Sequence, residues 1–260
     1  MGGKFAGVLL ASDYDNTLLN TEAARAPGAP RARLSQRTIE ALEYFIDNGG
    51  TFAPAVICNG AALYDFQTRE YLDCIFLEDD VARYCQEILD GSPTTAAEVY
   101  PLENVIHAVR PNAYTRQHEN LTLTSVKEDA SLLDVPTPLC KLMFEDGHQV
   151  LEGIREHLLG QAWIGRCEMV FSSPTLLELT RKGANKGGMV RRLAERLGIS
   201  FERVYCAGDE ANDISMLTFA AEGFAPANCI PAVRECGATI VADCDHDAVA
   251  EVIRILDRKY

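Results

Sequence analysis

Apolar positions follow two styles along this chain. Near both ends, short apolar runs at Phe5 to Ser12, Val56 to Cys58, Arg203 to Ala207 and Thr239 to Ala242 read as buried strands. Stretches with helical spacing separate them, at Ser35 to Asp47, Met189 to Leu197, Asn212 to Ala220 and Asp247 to Leu256. Strands alternating with helices predict an α/β fold built on a doubly wound parallel sheet. The leucines and isoleucines of the last helix fall on one face and belong to the core.

The middle of the chain is patterned differently. Strand-like runs at Glu98 to Tyr100, Leu121 to Val126, Leu139 to Phe144, Glu168 to Phe171 and Leu176 to Leu179 surround helices near Asp80 to Leu89 and Gln149 to Leu159. That mixture predicts a separate α+β domain over residues 62–180, inserted into a discontinuous core of residues 1–61 and 181–260. The stretch Ala23 to Ala32, with Pro27, Gly28 and Pro30, reads as a flexible loop.

Composition narrows the function. At 260 residues, 47% hydrophobic and 24% charged, the chain has the balance of a globular protein. A net charge of −14 argues against nucleic acid and anionic membranes as partners. The same charge repels a phosphorylated ligand at long range, so any phosphate site must be locally positive. No apolar run approaches the ~18 residues of a membrane span, and Phe5 to Ala11 is short for a signal segment. The nine cysteines are scattered without a CxxC pair, which points to buried reduced thiols and a cytoplasmic setting. The five histidines stand apart with no metal-ligand spacing and read as structural or exposed.

Candidate chemistry begins where the first strand ends, at Asp13-Tyr14-Asp15-Asn16-Thr17-Leu18. Side chains on extended backbone repeat with period two, so Asp13 and Asp15 are expected to point the same way. Two such carboxylates repel unless a cation lies between them, and hard oxygen ligands suit Mg²⁺. Phosphoryl transfer follows as a hypothesis, with Asp13 as nucleophile and Asp15 as acid and base. A plain surface Asp-x-Asp turn is the competing reading. An EF-hand fails, because Leu18 and Ala24 stand where that loop needs Gly and Glu.

A second acidic motif, Gly208-Asp209-Glu210-Ala211-Asn212-Asp213, follows the strand Arg203 to Ala207. Gly208 allows a tight turn there, and the ends of strands are where an open α/β sheet binds ligands. Asp213 also fits a plain helix-start role. Between the motifs, Lys186 sits at a helix start, where a lysine opposes the helix dipole and is oddly placed for structure alone. Gly187 after it excludes a Walker loop.

Taken together, these residues resemble the haloacid dehalogenase-like (HAD) phosphatases, and within them the Cof-like subfamily with a large cap inserted in a Rossmann-like core. Asp13 and Asp15 fall on that family's first motif, Lys186 on its third, and Asp209, Asn212 and Asp213 on its fourth. Asn59-Gly60-Ala61 matches the start of the cap. The resemblance implies a Mg²⁺-dependent phosphohydrolase of a small phosphorylated metabolite, sugar phosphate-like, working through an aspartyl phosphate. In that scheme Asp13 attacks phosphorus, Asp15 protonates the leaving oxygen and then activates water, and Lys186 steadies nucleophile and phosphate. Asp13, the Asp15 carbonyl and Asp209 hold the metal, with Asn212 and Asp213 in support. Specificity would lie in the cap, where Arg110, Arg116 and Lys141 are candidates that also read as ordinary surface charges.

One departure is serious. The family's second motif, a Ser or Thr after the second core strand, is absent. Asn48-Gly49-Gly50-Thr51-Phe52-Ala53 begins that strand, yet Pro54 to Gly60 already reads as the third. Neighbouring parallel strands need a crossover of about a dozen residues or more, and Thr51 stands at the wrong end to substitute. Either a crossover's worth of residues is truly deleted here, or the chain breaks between Ala53 and Pro54; we expect the break, with Thr51-Phe52-Ala53 and Ala55-Val56-Ile57 on neighbouring parallel strands and the phosphate-binding Ser or Thr in the missing piece. The missing motif also leaves open an impaired HAD fold that binds metal or phosphate without turnover, and the shared chemistry leaves open a phosphomutase.

Overall fold

A computed structural model describes residues 3–21, 32–103 and 105–260. Of the loop expected at Ala23 to Ala32, all but Ala32 lies outside the described residues. In chain order the elements are β1 (Leu9–Ser12), α1 (Gln36–Asp47), β2 (Ala55–Ile57), β3 (Ala62–Asp65), β4 (Glu70–Cys74), α2 (Val81–Gly91), β5 (Ala96–Pro101), β6 (Ile106–Val109) and α3 (Ala113–Thr122). There follow β7 (Val126–Asp129), β8 (Leu139–Glu145), α4 (His148–Leu159), β9 (Cys167–Ser173), β10 (Leu176–Arg181) and α5 (Lys186–Leu197). The chain closes with β11 (Val204–Ala207), α6 (Ile214–Phe219), β12 (Glu222–Pro226), α7 (Pro231–Glu235), β13 (Thr239–Val241) and α8 (Ala248–Lys259). Two compact units result, Met1–Ala55 with Lys186–Tyr260, and Val56–Asn185.

The first unit is built on a parallel sheet in the order β1-β11-β12-β13. Alternate residues Leu10, Tyr205, Ala207, Phe224 and Val241 face one side, where they bury against Leu42 and Phe45 of α1 and Val249, Val252, Ile253 and Leu256 of α8. The opposite side takes α6, whose backbone at Leu217 lies so close to Gly223 that a Cβ there would meet it at 2.6 Å. Helices on both faces complete a doubly wound α/β layer structure. Ser35 caps α1 by accepting from the Thr38 N–H at 3.0 Å and donates to Asp247, the residue before α8. The two helix starts are thus tied together.

Phe5 precedes β1 in a turn rather than in the strand, yet it is wholly buried. Its ring packs at 4.9 Å from Phe45 and edge-on to Tyr44 and Tyr260. The chain ends are joined through that aromatic cluster.

The expectation at Ala53–Pro54 is overturned. The chain runs unbroken through this peptide, which is cis. Thr51 alone continues the parallel sheet, bridging Leu9 with Thr51 N–H to Val8 O at 2.8 Å. Ala55–Ile57 does not pair beside it and instead joins the separate three-stranded sheet β2-β3-β4. The physical reason is the one that raised the conflict: without a crossover the chain has no route back to a parallel neighbour.

The second unit has a six-stranded sheet in the order β7-β6-β5-β8-β10-β9, antiparallel apart from β6 with β7. One face carries Ala97, Val99, Leu142, Phe144, Leu177 and Leu179, packed in one core with Leu89 of α2 and Leu151 and Leu158 of α4. The other face carries polar residues that are largely buried, Glu98, Lys141, Glu145 and Glu178. Residues 56–61 and 181–185, placed with the core on sequence grounds, pack with this second unit.

The strand expected at Leu121 to Val126 is instead the end of α3 and the start of β7. Asn112 caps α3 by accepting from the Tyr114 and Thr115 N–H groups, while Thr115 accepts from Asn112 in return. The left-handed Leu123 (φ 55°) then stops the helix. The alternation of Leu and Thr at 121–124 mimics a strand, while the cap that starts the helix lies nine residues upstream of Leu121 at Asn112. Lys141 is also no surface charge: it is buried and paired with Glu178 at 3.3 Å. Arg116 does lie on the surface, paired with Glu119 and Glu128. All nine cysteines are free.

Truncating Phe5 to Ala should lower unfolding stability by about 3–5 kcal/mol, the usual loss for a buried ring. Urea unfolding checks this, and a loss below ~1 kcal/mol would show that the aromatic cluster is dispensable.

Candidate active site

The site forms where β1 and β11 end side by side. Ser12 pairs with Ala207, and the Asp13 N–H donates to Ala207 O at 2.8 Å. Asp13 and the loop Gly208–Asp213 therefore leave the sheet together, at the strand ends where open α/β sheets bind ligands. The first turn of α5 delivers Lys186 to the same place. Its ammonium donates to Asp13 Oδ1 and to Asp213 Oδ1, each at 2.6 Å.

Each carboxylate has a different environment. Asp213 is fully buried and saturated: Oδ1 takes Lys186, and Oδ2 accepts from the Asp209 and Glu210 N–H groups at 3.0 Å. It is a fixed anchor, which realises both the helix-start reading and a place in the cluster. Asp209 accepts from the Thr17 hydroxyl at 2.8 Å through Oδ1. Asp13 keeps 19% of its side chain exposed, enough for a substrate to reach it.

Carboxyl oxygens of Asp13, Asp209 and Asp213 lie within 4.8 Å of one another. Burial and then the Asp213 charge raise Asp13 to about 6, against the pull of Lys186. Burial likewise raises Asp209 to about 7, with Thr17 opposing and Asp13 adding. Burial works against the charge of Lys186, but Asp213 and Asp13 outweigh it and hold the amine above its ordinary value. Three carboxylates thus face one ammonium, and the excess of negative charge and the all-oxygen donor set fit a hard divalent cation.

Two glycines make the approach possible. A Cβ on Gly187 would sit 2.2 Å from Ser215 O, so only glycine lets α5 start against α6, where the Gly187 N–H also donates to Ser215 Oγ at 3.0 Å. Gly208 serves a different end from the tight turn expected of it: a Cβ there would meet Asp213 Cβ at 2.4 Å, so its absence makes room for the anchor side chain.

Asp15 is not brought into the cluster. β1 ends at Ser12, so period-two geometry does not extend to residue 15, and its side chain is exposed in the turn that follows. Asn212 sits in a 3₁₀ turn, Ala211–Asp213, beside the cluster. Thr51 borders Leu9, the start of β1 rather than its catalytic end. Thr17 was part of the first stretch but was assigned no role; its signal was a hydroxyl four residues past Asp13. A polar cleft of about 430 Å³ adjoins Asp209, walled by Asn16, Glu210, Asn228 and Asp245.

Comparison with known proteins places the chain in a family. Residues 35–253 match the family described as haloacid dehalogenase-like hydrolase. YxeH of Bacillus subtilis is 28% identical over 245 residues, covering 87% of this chain and 90% of that protein. The pyridoxal phosphate phosphatase YbhA of Escherichia coli is 26% identical over 266 residues, covering 94% and 97%. Among solved structures, the HAD subclass IIB sugar phosphatase BT4131 superposes with a TM-score of 0.78 at 20% identity, covering 96% of this chain and 99% of that one. At that identity the likeness is one of fold.

Replacing Asp209 by Asn removes one of the crowded carboxylates. The metal-free protein should then melt a few degrees higher, on the scale of ~1 kcal/mol, while stabilisation by added Mg²⁺ disappears. Calorimetry with and without Mg²⁺ checks both; unchanged Mg²⁺ stabilisation would remove Asp209 from the metal site.

Proposed function

The chain belongs to the haloacid dehalogenase-like hydrolases, and from that premise we propose that it is a Mg²⁺-dependent phosphatase of a small phosphorylated metabolite, acting through a phosphoryl group carried on Asp13. The observation that carries this reading is Lys186 bridging Asp13 and Asp213 beside Asp209 at the shared end of two parallel strands.

Lys186 fixes one oxygen of Asp13 and keeps the group ionised, leaving the other to attack phosphorus. The same ammonium offsets negative charge as the phosphoryl group arrives. Asp15, exposed and outside the cluster, is free to reach the leaving oxygen, protonate it, and then take a proton from the water that releases phosphate. Asp213 and Thr17 hold Lys186 and Asp209 in place. Asp13, the Asp15 carbonyl and Asp209 would hold Mg²⁺, which supplies positive charge where the phosphate oxygens lie. The second unit would act as the cap, and a sugar phosphate is the substrate class we favour. The phosphatase YbhA is named for pyridoxal phosphate, so a phosphorylated cofactor belongs in the same screen.

A second reading has its own observation. Thr51 lies beside Leu9, and no Ser or Thr occurs between Phe52 and Asn59, so the usual phosphate-binding hydroxyl is missing. A protein that binds Mg²⁺ but does not turn over is the consequence to test.

With p-nitrophenyl phosphate, Asp13→Asn should abolish hydrolysis, because an amide forms no acyl phosphate. Asp15→Asn should slow turnover by roughly 10²–10⁴-fold, the usual worth of a placed acid and base. Full activity in Asp13→Asn would refute the nucleophile, and an inactive native protein that still binds Mg²⁺ would favour the second reading.

A further inference from the structure

A second cluster of ligand-type side chains lies in the unit of residues 56–185 and shares no residue with the aspartate cluster. Glu98 on β5, Glu145 on β8 and His118 on α3 bring donor atoms within 4.8 Å of one another. Their separation in sequence hid them: spacing gave His118 no ligand partner, and only the sheet register with α3 laid across it unites the three.

One oxygen of each carboxylate is held by a neighbouring side chain. Glu98 Oε2 accepts from the Tyr100 hydroxyl at 2.8 Å and lies 3.0 Å from His118 Nδ1. Glu145 Oε2 accepts from the Thr115 hydroxyl at 2.5 Å. The second oxygens are different. Glu98 Oε1 and Glu145 Oε1 are both buried, and neither has a hydrogen-bond partner among the described residues. Their residues are 1% and 0% exposed, so water does not solvate them from outside. Such orphaned carboxylate oxygens are costly and call for a partner. Glu145 Oε1 already lies 3.8 Å from His118 Nδ1.

Neighbouring cations answer the charge only in part, since Lys141 acts on both carboxylates at a distance. Lys141 is paired with Glu178 at 3.3 Å and rests over the Tyr100 ring at 4.3 Å. Arg116 turns to Glu119 and Glu128. Two carboxylates are left with one imidazole, a charge that a divalent cation would cancel. An imidazole nitrogen with two carboxylate oxygens suits Zn²⁺ and related first-row ions better than Mg²⁺. Ligands at about 2.0–2.2 Å around a tetrahedral ion stand roughly 3.3–3.6 Å apart, so donor atoms now within 4.8 Å of one another would close by up to about 1.5 Å on binding. Tyr100 and Thr115, each donating to one carboxylate oxygen, supply the orienting hydrogen bonds that metal carboxylates normally have.

We propose that Glu98, His118 and Glu145 form a binding site for a divalent first-row transition-metal ion of the Zn²⁺ type, distinct from the aspartate cluster. The test uses the full-length chain carrying Asp13→Asn and Asp209→Asn, which disables the aspartate cluster, titrated with Co²⁺ as a visible probe. One equivalent should bind with d–d absorption bands, and Zn²⁺ should displace it. Adding Glu145→Gln or His118→Gln should abolish the bands. Adding Tyr100→Phe, which removes one hydroxyl and retains the ring, should weaken binding about 10–100-fold, and it keeps the test decisive if a ligand variant fails to fold. A folded double variant that binds no Co²⁺, or binding that Glu145→Gln and Tyr100→Phe leave unchanged, would overturn the site.

Discussion

The ammonium of Lys186, held between Asp13 and Asp213, is the interaction on which the rest of the first unit's chemistry depends. Three residues far apart in sequence meet there, from the end of β1, the start of α5 and the loop after β11. A lysine in a helix's first turn is disfavoured by the dipole, and a buried carboxylate such as Asp213 is costly when unpaired. Each defect is the other's remedy. Removing the lysine would leave two carboxylates without compensation, so in the proposed mechanism the same residue serves stability and chemistry.

Backbone placement makes that contact possible. Parallel pairing of β1 with β11 sends two acidic loops out side by side. Gly187 and Gly208 then clear the space in which α5, α6 and Asp213 converge. The charge imbalance that remains is a poised state: crowded carboxylates are driven towards protonation and bind a cation in its place. Folding thus builds a cluster of oxygens whose donor set and excess charge fit a hard cation.

Much of this was legible in the sequence because the signals were local. Ser35 followed by apolar residues at helical spacing marked α1, and the apolar run ending at Ala207 marked β11. Asp13, Lys186 and Asp209, expected together because ordered motifs stand at strand ends, do come together in the fold. The failures were non-local. β3, β4 and β6 are short and partly polar, so periodicity did not separate them from loops, and α3 was missed because the Asn112 cap outweighs the strand-like tail of the helix. The conflict at Ala53–Pro54 was seen, but its resolution was not: the chain leaves the sheet after one bridged residue instead of breaking. Lys141 and His118 looked like ordinary surface or isolated residues, since burial and partners on the second unit's polar face come from cross-strand register alone.

The central claim is that Asp13, steadied by Lys186, itself attacks phosphorus. Single-turnover hydrolysis in ¹⁸O-labelled water, with enzyme in excess over a phosphorylated substrate, tests it most directly. If an acyl phosphate forms on Asp13 and water cleaves it at phosphorus, the first turnover puts ¹⁸O into released phosphate. A rapidly quenched sample, reduced with borohydride, should carry its modification on the peptide containing Asp13. Phosphate released with ¹⁸O while no quench interval traps a modified Asp13 peptide would mean that water attacks the substrate directly, and the account would be wrong at its centre.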